Sequence, residues 1–567
     1  MSETIYQKLS IERKQLQSEG LIPEWFITNG WQLFKEKYLY EAKGVTDTYS
    51  RIAKTAARHL PTFELEVLAE DNFKLLLNNG WLALSTPVLS NMGTNKGMPV
   101  SCSGQYVGDS IDDFYMSAHE LAMLTKHGFG TSSYLGDIRP RGTPISVGGK
   151  SSGVLPVIKQ YVNVMRDVAQ GTSRRGAWAG YLPIEHGDFH EVVDYLEHYP
   201  DDLNLGWVVT QAFIDKLQAG DEESHLRLQR AMKVKAVTGK GYYFFVDKVN
   251  AANPECYKKL GLTVKASNLC IEITLPSDEN HTFTCVLSSM NLAKYDEWKD
   301  TDAVFWATIF LDCVASEFIA LAKGKNGFEK AVRFTEKSRA LGLGALGFHT
   351  YLQQKSIPFE SLEAHIENKL IFSDLKAKAV EASKYMAELL GEPEWLEGTG
   401  LRNSHLLAVA PNTQSALICG GVSQGIEPVV ANVYNQPTAA GELYRINPVF
   451  LKLARDKGKF CDELVDDLIE HDGSVQHLEW LSDHEKAVFK TAYEIDQMAI
   501  LRLASARQPD ICQSQSLNLF FDADEDEGYI MEVHKAAFID PNIKGLYYMR
   551  TQAGVKASKG ECLACEG

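Results

Sequence analysis

Between residues 85 and 300 the sequence alternates short apolar runs with Gly- and Ser-rich turns, and this pattern limits the folds open to the chain. Runs such as 242–246 (YYFFV) and 269–271 (LCI) have the length of strands rather than helices. The pattern therefore predicts mixed α/β structure.

Helical patterns flank this region. Residues 1–84 are predicted to be helical, with a helix stop at 78–80 (NNG). Apolar residues recur at helical spacing over 361–390, and Gly391 follows as a cap. After Thr551 the chain becomes small, polar and rich in Gly and Lys, which predicts a flexible tail.

The charge balance excludes some classes of function. A net charge of −17 argues against a general nucleic-acid or membrane-surface binder, because phosphate contacts need clustered Lys and Arg. The N-terminus is charged from the start, and no uninterrupted apolar run reaches about 18 residues. We therefore expect a cytoplasmic protein whose ten cysteines are mostly reduced, so that any pairs are redox-active rather than structural.

Cys562 and Cys565 form the one cysteine pair with CxxC spacing. A structural zinc site usually needs four ligands, and no second CxxC or nearby histidine pair supplies the other two. The alternative is a dithiol on a mobile tail, which can close to a disulfide at low cost and exchange with an external reductant.

Residues 268–272 (NLCIE) are the second chemical feature. If this segment is extended, Asn268, Cys270 and Glu272 share one face, since alternate residues of a strand point the same way. A carboxylate raises the pKa of a neighbouring thiol, so the set suits hydrogen-atom chemistry at sulfur, with Glu272 as proton acceptor, rather than thiolate attack. The alternative is a buried cysteine in a strand with polar neighbours.

Two further patterns are weak by themselves. Tyr547 and Tyr548 are adjacent, which is typical of packing in strands. Residues 342–347 (GLGALG) fit GxGxxG, but that pattern indicates a dinucleotide-binding turn only after a strand. The preceding residues 329–340 are predicted to be a charged helix, so nicotinamide binding is not expected.

Taken together, these motifs resemble the large subunit of class I ribonucleotide reductase from about Trp25 to the C-terminus. The resemblance implies a ten-stranded α/β barrel with a central finger loop. It divides the chain into an N-terminal helical region (1–84), the barrel with its specificity-site loops (85–551) and a flexible redox tail (552–567). Members of this family often begin with an ATP-binding domain that switches activity; we expect none here.

The resemblance also implies roles for individual residues. Cys270 would be the transient thiyl radical that abstracts the 3′-hydrogen of the ribose, Glu272 the base for the 3′-hydroxyl, and Asn268 a substrate partner. The other redox and radical-transfer residues would be the reducing pair Cys102 and Cys285, the relay tyrosines Tyr547 and Tyr548, and the tail shuttle Cys562 and Cys565.

Nucleotide-binding positions follow from the same resemblance. The expected substrate contacts are Thr86, Ser101, Gly130, Asn412, Thr413, Gln414 and Ser415. The expected contacts of the allosteric effector are Asp109, Ser110, Arg139, Lys150 and Arg175. The match is looser at 411–415 (PNTQS). Ser146 also stands where a second arginine is usual, which is why Lys150 is proposed for the effector phosphates.

The resemblance further implies partners and cofactors. The substrates would be ribonucleoside diphosphates, and a deoxynucleoside triphosphate or ATP, with Mg²⁺, would be the effector at a homodimer interface. A metal-containing small subunit would supply the radical, so that this chain holds no metal and no covalent cofactor. Thioredoxin or glutaredoxin would reduce the tail. Two alternatives remain: an adenosylcobalamin-dependent class II enzyme, which needs no tyrosine relay, and a thiol-disulfide oxidoreductase acting through Cys562 and Cys565.

Overall fold

A computed structural model describes residues 5–100, 102–168, 176–438 and 441–551. As predicted, the N-terminal region is helical. Its fourth helix, Phe63–Asn78, begins where the Thr62 hydroxyl accepts a hydrogen bond from the Leu65 amide and ends just before Gly80, whose φ is 66°. Residues Leu82–Leu84, predicted to be helical, form a strand instead.

Thirteen strands are present in the described residues. They are β1 Leu82–Leu84, β2 Cys102–Tyr106, β3 Gly130–Tyr134, β4 Ala177–Pro183, β5 Asn204–Val209, β6 Tyr242–Phe245, β7 Phe283–Asn291, β8 Leu341–Leu346, β9 Val433–Thr438, β10 Gly441–Ile446, β11 Leu519–Phe521, β12 Gly545–Leu546 and β13 Met549–Thr551.

Strands β2 to β6 form one parallel half of a barrel. They pair in chain order, and each connection between them contains at least one helix, as parallel strands require. Most of their residues are buried on both faces, which explains a continuous apolar run such as that of β6.

The second half is also parallel, but it uses short segments besides named strands. Strand β7 pairs with β8, which bonds to residues 405–409, and these in turn bond to residues 513–517. The Tyr547 amide then donates to the Leu517 carbonyl at 2.8 Å.

Two antiparallel seams join the halves, β2 against β7 and β6 against β12. Ten segments therefore close into a ring, and the predicted ten-stranded α/β barrel is confirmed.

Helices cover the barrel and fill its connections. They are α1 Ile5–Ser18, α2 Thr28–Lys37, α3 Val45–Ala57, α4 Phe63–Asn78, α5 Thr86–Asn91, α6 Ile111–Lys126, α7 Leu155–Asp167, α8 Phe189–His198, α9 Gln211–Gln218, α10 Glu222–Thr238, α11 Val246–Ala251, α12 Glu255–Lys259, α13 Tyr295–Trp298, α14 Ala303–Ala322, α15 Glu329–Ser338, α16 Phe348–Gln354, α17 Leu362–Leu390, α18 Thr413–Ile418, α19 Pro448–Asp456, α20 Asp462–Glu470, α21 Asp483–Val488, α22 Gln497–Arg507 and α23 Glu527–Ile539. Three short 3₁₀ helices lie at Leu292–Lys294, Glu394–Leu396 and Gln508–Asp510.

Two expectations from the sequence are settled by these elements. The helix predicted over 361–390 is α17, and Gly391 follows it with a φ of 83°. The GxGxxG pattern at 342–347 lies largely within β8 and follows α15, so it is a close-packed strand rather than a turn between a strand and a helix.

Helix α14 is the one helix, among the described residues, long and apolar enough to cross a membrane. It is largely buried against the barrel, and its Asp312 forms an ion pair with Arg339 at 2.7 Å. Burial of this helix and its charged pair in the core fits a soluble enzyme fold.

Candidate functional site

The loop between β6 and β7 enters the barrel and carries Cys270 at its tip. Residues 269 and 270 form a turn, and Ile271 has a φ of 68°, which is costly for a β-branched residue. The segment is therefore not extended, contrary to the prediction, and the alternative of a cysteine within a strand is also wrong. Asn268 and Glu272 meet because the turn folds back, with the Asn268 side-chain amide donating to Glu272 Oε1 at 2.9 Å.

Side chains of the barrel wall hold this loop in place. The Tyr181 hydroxyl donates to the Asn268 carbonyl at 2.6 Å, and Ser132 donates to the Ser267 carbonyl at 2.7 Å. On the opposite side, the Ser514 amide donates to the Glu272 carbonyl at 2.9 Å. The loop is thus bonded to both halves of the barrel, which stabilises the left-handed residue at its tip.

Glu272 is placed to accept a proton. Its side chain is buried, and burial raises its pKa from 4.5 to about 7. Within the described part of the chain, Oε2 has no hydrogen-bond partner, although a buried carboxylate oxygen normally has one. An acceptor left open on the loop that carries Cys270 suits a bound hydroxyl group.

Cys102 and Cys285 face each other across the seam between β2 and β7. They are directly paired in the antiparallel register, where Cα atoms lie about 4.5–5.5 Å apart, a separation that a disulfide can span. Both side chains are buried, and burial raises the pKa of Cys285 well above its usual value. Asn268 Nδ2 lies 3.5 Å from Cys102 Sγ, which places this pair next to the loop.

The adjacent tyrosines connect Cys270 to Arg550 through side-chain contacts. The Tyr547 hydroxyl lies 3.6 Å from Cys270 Sγ, and the rings of Tyr547 and Tyr548 are 4.0 Å apart between centroids. The guanidinium of Arg550 lies 5.5 Å from the centre of the Tyr548 ring. Arg550 also lines a cavity of about 690 Å³, together with Glu427 and Tyr493.

A third tyrosine, Tyr242, belongs to this group and was missed by the sequence analysis. Its hydroxyl donates to that of Tyr548 at 3.3 Å, and its ring centroid lies 4.6 Å from that of Tyr547. In the sequence Tyr242 only contributes to an aromatic strand, so nothing there separates it from a packing residue.

The predicted phosphate-binding residues are brought together from distant parts of the chain. Thr86 begins α5, and Thr413 begins α18 after Asn412, whose φ is 54°. The Tyr38 hydroxyl connects the two turns, lying 3.3 Å from Thr86 Oγ1 and 2.6 Å from Gln414 Oε1.

Other contacts complete this arrangement. Ser415 donates to the Leu84 carbonyl at 3.0 Å, and Gly130 is paired with Cys102 between β3 and β2. The predicted Ser101 lies outside the described residues. Tyr38, like Tyr242, was not identified from the sequence.

Three of the predicted effector residues also lie together. Arg139 donates from Nε to the Asp109 carboxylate at 2.5 Å. Ser110, which follows Asp109 in the chain, caps α6 because its hydroxyl accepts a hydrogen bond from the Asp113 amide. Lys150 is exposed on a hairpin that Arg139 contacts through the Pro144 carbonyl at 3.3 Å. The predicted Arg175 and the tail cysteines Cys562 and Cys565 lie outside the described residues.

One histidine cluster was not predicted. Ligand atoms of Asp467, His471 and His477 lie within 4.8 Å of one another. His477 donates to the Asp467 carboxylate at 2.7 Å, and His471 donates to its carbonyl at 2.8 Å. These hydrogen bonds account for the cluster without an ion.

Comparison with known proteins identifies the family. The model of the ribonucleotide reductase barrel domain matches residues 100–228, 225–399 and 392–549. The chain belongs to the ribonucleotide reductase large-subunit family. The predicted resemblance is thereby confirmed, and the chain is the catalytic subunit of a ribonucleotide reductase.

Individual relatives of this reductase cover nearly its whole length. A ribonucleoside-diphosphate reductase large subunit of Frog virus 3 is 36% identical over 521 residues, covering 86% of this chain and 91% of the relative. The corresponding protein of Invertebrate iridescent virus 3 is 30% identical, and the match covers 87% of this chain and 91% of that relative. Among solved structures, the class Id ribonucleotide reductase alpha subunit of Actinobacillus ureae matches with a TM-score of 0.87 at 38% identity, covering 94% of this chain and 98% of that one.

Proposed function

We propose that this reductase converts ribonucleoside diphosphates to 2′-deoxyribonucleoside diphosphates through a thiyl radical on Cys270. The observation that carries the proposal is the grouping of Cys270, Glu272, Asn268 and the Cys102–Cys285 pair in one buried space. A diphosphate substrate agrees with the names of the viral relatives. The turns at Thr86 and 412–415 would hold its phosphates.

Each residue has a defined part in the reaction. Cys270 as a thiyl radical takes the 3′-hydrogen atom, and Glu272 accepts the proton of the 3′-hydroxyl. The 2′-hydroxyl leaves as water with one proton of the dithiol, and the other dithiol hydrogen goes to C2′. Cys102 and Cys285 thereby supply two electrons and become a disulfide, and Glu272 returns its proton to the 3′-oxygen. Cys270 then returns its hydrogen atom to C3′. Burial of these groups protects the radical from water.

A separate small subunit with a metal cofactor would generate the first radical. The chain of contacts from Tyr548 to Tyr547 to Cys270 supports this, because each step is within van der Waals or hydrogen-bond reach. An enzyme that makes its radical from adenosylcobalamin within the barrel would not need such a relay. We place the entry of the radical near Arg550, beside the cavity of about 690 Å³.

Regulation and re-reduction complete the proposal. A deoxynucleoside triphosphate or ATP with Mg²⁺ would bind near Asp109, Ser110 and Arg139 at a homodimer interface, with Lys150 and Arg175 on the phosphates. On a tail over 552–567, Cys562 and Cys565 would reduce the buried disulfide and then be reduced by thioredoxin or glutaredoxin in the cytoplasm, where such thiols remain available.

The test is reduction of CDP with an effector triphosphate and dithiothreitol, with the small subunit of the same genome, with adenosylcobalamin, or with neither. We expect deoxycytidine diphosphate only with the small subunit. Cys270→Ser should abolish product, whereas Cys313→Ala, which removes a buried thiol in α14, should not. Product with adenosylcobalamin alone would overturn the proposal that Tyr548 and Tyr547 relay a radical from a small subunit. Full activity of Cys270→Ser would overturn the radical assignment.

A further inference from the structure

Tyr242 is the residue that touches both members of the tyrosine pair. It is fully buried, and its ring stands edge-on to Tyr548 at 5.4 Å and inclined to Tyr547 at 4.6 Å. Its hydroxyl is the donor in the 3.3 Å hydrogen bond to the Tyr548 oxygen. The three phenols and Cys270 belong to one apolar cluster inside the barrel.

We propose that Tyr242 is a positioning residue for radical transfer, which holds the Tyr547–Tyr548 stack and donates a hydrogen bond to the oxygen of Tyr548. The inference rests on the relay proposed above. It adds a residue that is not itself oxidised in the transfer but acts on one that is.

The hydrogen bond matters because of what Tyr548 loses. Oxidation of Tyr548 removes one electron and its own hydroxyl proton, and the small subunit would accept both. The resulting phenoxyl oxygen still accepts the Tyr242 hydrogen bond, and in a dry interior that bond is stronger than in water. Tyr547 then gives a hydrogen atom to Tyr548, and Cys270 gives one to Tyr547, so that the tyrosines are restored and the thiyl radical is left.

The fold fixes Tyr242 from two directions. Along β6, Tyr242 and Phe244 point into the barrel, whereas Tyr243 and Phe245 pack against Phe538 of α23 outside it. Buried Lys235 donates to the carbonyls of Gly241, at 2.9 Å, and Tyr547. The Lys235 side chain thereby connects the residue before β6 to the main chain at Tyr547.

Packing alone would explain the ring of Tyr242 but not a requirement for its hydroxyl. Tyr242→Phe removes only that hydroxyl. The neighbouring Tyr243 supplies a matched control, since it is equally buried and its hydroxyl has no hydrogen-bond partner among the described residues. Tyr243→Phe therefore removes the same group from the same strand without touching the relay.

The experiment measures CDP reduction by the complete enzyme, with its small subunit and effector, in H₂O and in D₂O. A neutral hydrogen bond is worth a factor of roughly 3 to 10, so we expect kcat of Tyr242→Phe to fall by about that factor. KM for CDP should stay within about twofold, because substrate binding is not involved. The solvent isotope effect on kcat should rise, as proton movement at Tyr548 becomes slower. Tyr243→Phe should match the wild type in kcat, in KM for CDP and in the solvent isotope effect.

Two results would overturn the inference. Wild-type kcat and isotope effect in Tyr242→Phe would show that the hydroxyl is dispensable. Complete inactivity, equal to that of Tyr548→Phe, would make Tyr242 a member of the relay rather than a positioning residue. The relay itself is tested separately, since Tyr547→Phe and Tyr548→Phe would both keep activity if it were wrong.

Discussion

Replacing Glu272 by glutamine should inactivate the enzyme and stabilise it at the same time. Glutamine keeps the shape of the side chain and can still accept the hydrogen bond from Asn268. It cannot take up a proton from a substrate hydroxyl. The rise of the Glu272 pKa from 4.5 to about 7 on burial corresponds to roughly 3 kcal/mol of unfavourable free energy when the folded protein carries the charge.

The pH range follows from the sign of this shift. Between about pH 4.5 and 7 the folded protein holds a proton on Glu272 that the unfolded chain has lost. The stability that this group contributes is therefore present below pH 4.5 and is lost as pH rises through 7. The glutamine variant lacks this dependence on pH. Its free energy of unfolding should therefore exceed that of the wild type by near zero at pH 4.5 and by roughly 3 kcal/mol at pH 8, which corresponds to about 2–3 °C in Tm.

Thermal melting from pH 4.5 to 8 tests the expected stabilisation of Glu272→Gln, and CDP reduction at pH 8 tests its expected loss of activity. Loss of a general base should lower kcat by a factor of about 10² to 10⁴. Glu381→Gln, on an exposed position of α17, should change neither activity nor the pH dependence of Tm. A Tm difference between Glu272→Gln and wild type that does not vary with pH would refute the claim that burial raises the Glu272 pKa. An active variant would refute the role of Glu272 as the general base.

Other substitutions address the remaining parts of the site. Cys102→Ser or Cys285→Ser should reduce dithiothreitol-driven turnover at least about a hundredfold, measured as deoxynucleotide per subunit, since two electrons can no longer be delivered; normal turnover would contradict the pair. Tyr547→Phe, which removes the hydroxyl 3.6 Å from Cys270, should lower kcat at least as much while the dissociation constant for CDP is unchanged. Arg139→Met should weaken binding of an effector triphosphate by about tenfold or more in calorimetry, because a charged hydrogen-bond donor is lost, and unchanged affinity would place the effector elsewhere.

The sequence analysis grouped residues of the loop that the structure also brings together, but it did not predict their geometry. Asn268, Cys270 and Glu272 were grouped as alternate residues of a strand, whereas a turn with a left-handed Ile271 brings them together. No local pattern predicts this conformation at an isoleucine, because it is unfavourable on its own. It is held by hydrogen bonds from Tyr181 and Ser514, which lie far away in the chain.

The second half of the barrel shows a similar limit. Residues 405–409 (HLLAV) and 513–517 (QSQSL) complete the ring through a few hydrogen bonds each. The first run is only five residues long and the second is largely polar, so neither pattern alone predicts a strand. Tyr242 and Tyr548 are 306 positions apart, and Tyr38 and Gln414 are 376 apart. Such contacts depend on how the ring closes, which periodicity along one chain does not reveal.

Closure of the ring also keeps the proposed radical route apart from the proposed reducing pair. The reducing pair Cys102 and Cys285 lies on the seam between β2 and β7, whereas Tyr547 directly follows β12, on the seam with β6. Cys270 enters between them on a loop bonded to both halves. In the proposed mechanism, the radical therefore reaches Cys270 from one seam, and the electron pair reaches the substrate from the other. Since a tyrosyl radical next to a dithiol would oxidise it, we expect this separation to direct the proposed radical to Cys270, whose Sγ lies 3.6 Å from the Tyr547 hydroxyl.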